Sequence, residues 1–235
     1  MISRLIRNVK FWYLLGLAFP LLMYTVVGRG PYWFAEILLY IIFFGGLWLN
    51  SRYHFRAKIA VSRKMAILLY FVIFLATATI YELSLSPTLG SFSEHHSQPI
   101  PSFIIIIGSY LIFALFNLFL IHRYHYTFRE LYFSAGAASL TEGVVFSGLL
   151  TATLLSPLFF LAPLLFAYYM LVYGVIFCMP FIFIREELLW SRSQVIISFW
   201  RKMLYAFIST FVAYVVWTGG WVKIAGILTN GFEKF

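Results

Sequence analysis

The chain of 235 residues contains no aspartate, a single cysteine and only 11% charged residues. Each shortage excludes something. Without Asp it cannot supply the aspartates with which many membrane glycosyl or phosphoryl transferases hold metal. With Cys178 alone there is no intrachain disulfide and no thiol pair, and the redox compartment stays open. Also missing are a phosphate-cradling glycine loop, a Ser-x-x-Lys pair and a His-Glu-x-x-His helix, so no cofactor is implied. Soluble domains carry roughly a quarter charged residues, far above the fraction here.

In place of charge there is apolar surface: 63% hydrophobic and 21% aromatic residues. A globular core of this size cannot hide so much, whereas a bilayer can. The expected class is an all-α, polytopic helical membrane bundle forming one transmembrane domain over residues 1–235. Seven spans are expected, at about 11–27, 32–49, 65–83, 102–121, 131–155, 158–184 and 203–222. The basic start followed by an apolar run could be taken for a signal peptide, but no small-x-small site follows, and a retained first span is expected.

The formal charge of +9 sits in short blocks between the apolar runs. That pattern points to orientation in a membrane and away from nucleic acid. With seven spans and the N-terminus in the cytoplasm, fourteen cations fall inside: Arg4, Arg7, Lys10, Arg52, Arg56, Lys58, Arg63, Lys64, Arg123, Arg129, Arg185, Arg192, Arg201 and Lys202. Three fall outside or near it: Arg29, Lys223 and Lys234. The C-terminus is then expected on the opposite side. Trp12, Tyr32, Trp33, Trp217 and Trp221 lie near span ends, as an aromatic belt requires.

Glu142 is the candidate with most chemistry. It lies eleven residues into its span, roughly 16 Å deep in a core of about 30 Å. A carboxylate at that depth needs a partner or a proton, which makes it a candidate intramembrane polar or proton site. Candidate partners are the hydroxyls of Ser139, Thr141, Thr77, Thr210 and Tyr168. Around it Ala135, Ser139, Gly143, Ser147 and Thr151 recur every four residues, a small-residue ladder that lets another helix approach closely. Glu36, one turn into the second span, is expected near Arg29. Asn117, Thr77 and Thr79 are expected to hydrogen-bond between helices.

At the basic side, His122 and His125 are three apart with Arg123 beside them. Arg185, Glu186, Glu187 and Arg192 follow the sixth span. These residues are candidates for contact with anionic lipid headgroups or a cytoplasmic partner, possible partners being other membrane subunits. The segment 185–202 alternates apolar and basic residues in the manner of an interfacial amphipathic helix. No metal site is expected; His95 and His96, adjacent on the loop 84–101, are weak candidates because neighbouring residues seldom converge on one ion.

Two stretches bear a family likeness. Glu142-Gly143-Val144-Val145-Phe146-Ser147-Gly148 loosely resembles the glutamate-pair motif of CAAX-type intramembrane proteases, but Gly143 replaces the second glutamate, Ser147 the arginine, and no histidine follows His125. The catalytic pieces therefore do not carry over. Residues 1–28, with a basic amphipathic start and the Phe19-Pro20-Leu21-Leu22 core, look similar to the first span of many ABC-type export permeases, although an odd number of spans departs from that family's usual six. The expected function is a non-enzymatic permease-like or assembly subunit of a membrane complex. The alternatives are a proton-coupled carrier centred on Glu142 and an intramembrane lipid-modifying or hydrolytic enzyme.

Overall fold

The computed structural model describes residues 33–54, 61–85, 99–141, 144, 149–157, 159–190, 194–221 and 223–224. The chain is all-helical there, with no strand among the described residues. Its helices are α1 (Trp33–Tyr53), α2 (Arg63–Leu85), α3 (Pro99–Arg123), α4 (Phe128–Leu140), α5 (Leu149–Leu154), α6 (Ala162–Cys178), α7 (Pro180–Phe183) and α8 (Phe199–Val216). Among the described residues, three stretches are long and apolar enough to cross a membrane: Arg63–Glu82, Phe159–Cys178 and Phe199–Gly220.

Local chemistry accounts for most boundaries. Ser62, Thr127 and Ser198 cap α2, α4 and α8, each hydroxyl accepting a backbone N–H that the helix start leaves over. At Thr127 the cap is reciprocal, because the Glu130 carboxylate takes the Thr127 N–H at 2.8 Å. α1 stops where His54 adopts a left-handed φ of 49° and returns its N–H to the Asn50 carbonyl at 2.9 Å. Between α6 and α7 the ladder is interrupted at Pro180, which has no N–H to give. The expected span 158–184 is therefore a 3₁₀ turn, α6 and α7 in succession. α8 passes into a π-helical turn over Trp217–Trp221.

Of the expected span 131–155, α4 covers the start and α5 the end. Thr141 and Val144 have π-helical backbone, and residues 142–143 and 145–148 lie outside the described set.

α4 sits at the centre, packed against α6 and α8, while α8 also lines α3 and α1 pairs with α2. The contact with α6 depends on missing side chains. A Cβ on Gly174 would overlap the Tyr132 ring, and one on Gly136 would come within 2.8 Å of Met170 Cε. The missing side chains let the two helix backbones approach closely. The residues of the expected ladder are placed as follows. Ala135 and Ser139 are buried, Thr151 lies in α5, and Gly143 and Ser147 fall outside the described residues.

Candidate functional site

The two ends of the bundle handle charge differently. At one end the start of α1 meets the end of α2 and the start of α6. Glu36 is buried, at 2% exposure, and accepts a hydrogen bond from the Tyr40 hydroxyl one turn later. Tyr168 of α6 is hydrogen-bonded to the same carboxylate and lies 3.3 Å from the Tyr81 hydroxyl of α2. Three tyrosines from three helices thus surround one acid. Nearby in the fold, the Tyr110 hydroxyl of α3 donates to Glu82 of α2. The expected partner of Glu36, Arg29, lies outside the described residues. Spacing of four between Glu36 and Tyr40 places both on one helix face, which was the available signal for this contact.

The opposite end is basic. Arg63 at the start of α2 lies 3.2 Å from His122 Nδ1 at the end of α3, and the same nitrogen is 2.9 Å from the Leu189 carbonyl. One Nδ1 cannot serve both: protonated it donates to Leu189, unprotonated it accepts from Arg63. α3 ends at Arg123, so His125 lies beyond the helix that carries His122. Its ring lies against Trp190, with centroids 4.5 Å apart.

The segment 185–202 also departs from the expected amphipathic helix. Glu186–Leu189 form a 3₁₀ turn, and Val195 is extended, exchanging backbone hydrogen bonds with Arg123 and His125. The Gln194 amide donates to the carbonyls of Ile121 and Tyr124. Those carbonyls close α3 and have no helical partners of their own, which gives the segment a stronger claim on extended backbone than its weak amphipathicity gives it on helix. Arg185 pairs with Glu187 at 3.5 Å with both side chains largely exposed. Arg192 and the Glu186 side chain lie outside the description.

Beside this segment, Lys202 of α8, only 4% exposed at its side chain, reaches Glu130 of α4 at 2.6 Å. The ammonium also lies 5.3 Å from the Tyr126 ring centroid. Partial burial alone would raise the Glu130 carboxyl. Hydrogen bonds from Lys202 and Thr127, with the lysine's charge, outweigh it and hold the carboxyl below its ordinary range. Glu130 and Lys202 are 72 positions apart, and nothing local marks them as a pair.

Between the two ends, Asn117, Ser134, Ser209 and Thr210 border a cavity of about 10 Å3 walled by Phe113 and Phe177, the space of one water molecule. Asn117 donates to the Tyr70 hydroxyl at 2.8 Å, joining α3 to α2 as expected of it. Glu142 lies outside the described residues, as do His95 and His96. The hydroxyls expected to serve Glu142 are within the description. Ser139, Thr141, Thr77 and Thr210 donate to the carbonyls of Gly136, Phe207, Ile73 and Ala206. Each keeps only acceptor capacity for a further partner.

The chain matches no protein-family model, no curated protein and no solved structure.

Proposed function

We propose that this is a multi-pass helical membrane protein, with seven spans, a cytoplasmic N-terminus and the C-terminus on the opposite side, acting non-enzymatically as a permease-like or assembly subunit of a membrane complex. The observation that carries the reading is the contrast between a central α4 held by close backbone approach and broad apolar faces turned outward. On α8 these include Leu204, Ile208, Phe211, Val215 and Val216, and on α1 Leu38, Ile41 and Trp48. Such faces suit lipid or the spans of a neighbouring subunit. The orientation is supported by contacts that bring Arg63, His122, Leu189, Glu130 and Lys202 to one end of the bundle.

Extraction in mild detergent followed by crosslinking tests the assembly role. A partner should co-purify, and substitutions across 185–202 should release it. A chain that stays solitary under efficient crosslinking overturns the subunit reading, while a C-terminal reporter active only in the cytoplasm overturns the topology.

The Glu36 cluster favours a second reading, a proton-coupled carrier using Glu142 and Glu36. Hydroxyls that can only accept suit a protonated carboxyl at Glu142. Here Glu142→Gln should abolish pH-dependent transport while leaving the folded amount unchanged; normal transport by that variant removes the reading.

A further inference from the structure

We infer that the corner formed by the end of α3, the extended segment 194–198 and the first turns of α4 and α8 binds the headgroup of an anionic phospholipid. The inference rests on the membrane reading above and adds a site to it.

Backbone pairing assembles the corner. Val195 bonds to Arg123 and His125, which sets Ile196 beside the end of α3. The Tyr124 ring meets Tyr205 of α8 at 5.3 Å. The Arg129 guanidinium lies 5.8 Å from the Phe133 ring centroid, and Phe133 meets Phe199 edge-on at 5.7 Å. Phe199 in turn meets Trp200 at 5.3 Å. This chain of contacts carries Arg129 to the start of α8, where Arg201 follows.

Arg123, Arg129 and Arg201 are all exposed. Glu130 is engaged by Lys202, and Arg123 and Arg201 add positive charge to the corner. The first turn of α8 holds Arg201 and Lys202 and no acid. Cations at a helix start oppose the helix dipole, and an anion docked there relieves the repulsion. Thr127 and Ser198 already cap the two helices, so the recognition falls to side chains. Guanidinium groups match phosphate oxygens in pairs.

The choice of a lipid over an acidic protein follows from what stands among the cations. Ile196 is 85% exposed and Trp200 70%. An apolar chain and an indole next to arginines, where an apolar helix begins, match the boundary between headgroup and acyl chain.

The test reconstitutes the full chain into nanodiscs of phosphatidylcholine containing a minor share of phosphatidylglycerol, and mass spectrometry then measures the lipid retained on extraction. The wild type should enrich phosphatidylglycerol over its bulk share. Arg123→Gln with Arg201→Gln should lower that enrichment about tenfold, Arg123→Lys with Arg201→Lys should restore most of it, and Arg52→Gln, at the end of α1, should leave it unchanged. Added salt should lower the wild-type value even if a glutamine variant fails to fold. Equal enrichment in wild type and the folded double variant, equal loss in Arg52→Gln, or indifference to salt overturns the site. A chain that enters membranes without enriching the anionic lipid loses only this site; one that does not enter membranes loses the membrane reading as well.

Discussion

α6 and α8 are nearly equal in length, at 17 and 18 residues, and both are apolar, yet they occupy different places. α6 buries twelve of its residues and α8 four. Apolarity does not make the difference, because lipid accepts a leucine as readily as a protein core does. Small residues at close-approach positions do. α6 offers Gly174 to Tyr132 and takes Gly136 of α4 against Met170. The buried residues of α8 form one stripe, Lys202, Ala206, Thr210 and Ala213, at spacings of four, four and three. A seam of distributed contacts holds α6, whereas α8 depends on that stripe and an ion pair at its start.

The largest expected effect breaks the α6 seam. Gly174→Ala drives a methyl into the Tyr132 ring and should destabilise the protein by about 3 kcal/mol, read as a fall in thermal midpoint in detergent. Adding Tyr132→Ala should cost less than the sum of the two single losses, since the two groups collide directly. If Gly174→Ala unfolds at the wild-type temperature, close approach is not what distinguishes α6.

Breaking the ion pair comes next. Glu130→Gln leaves the Lys202 ammonium buried beside a neutral amide and should cost about 2 kcal/mol, while Glu130→Gln with Lys202→Met should lie closer to the wild type. The acid limb carries the same information. The Glu130 carboxyl is held below its ordinary value of 4.5, so its contribution is complete above that pH and is lost as pH falls through the lower folded-state value. Glu130→Gln should therefore remove a component of acid destabilisation below about pH 4.5. An unchanged acid limb would mean that α8 does not rely on the pair. Ser198→Ala, which deletes the α8 cap, should cost about 0.5–1 kcal/mol.

How much of this was legible in the sequence depends on the range of the physics. Apolar runs marked the cores of α1, α2, α3, α6 and α8, because span length and hydropathy are local properties. The every-four spacing of Ala135 and Ser139 marked α4 as buried before any neighbour was known. The partners were not legible: Lys202 finds Glu130, and Tyr168 finds Glu36, only after the helices pack. The segment 185–202 misled for a related reason. Its amphipathic pattern is real, but the carbonyls that Gln194 serves belong to α3, and a pattern cannot reveal a distant acceptor. Glu142, the residue with most chemistry in the sequence, lies outside the described residues.

The sharpest test of the comparison uses adjacent residues of one helix, where the expected effects are again small. Gly45 and Gly46 both lie inside α1. A Cβ on Gly46 would meet the Ile182 side chain of α7 at 2.5 Å, whereas one on Gly45 meets nothing within 4 Å among the described residues. Gly46→Ala should cost about 1 kcal/mol, because the end of an isoleucine can yield only partly. Gly45→Ala should be neutral or stabilise by up to about 0.8 kcal/mol, the helix preference of alanine over glycine acting without a clash. Thermal midpoints of the two variants, measured side by side, separate packing from intrinsic propensity. A destabilising Gly45→Ala would show that another segment or a second copy closes on that face of α1.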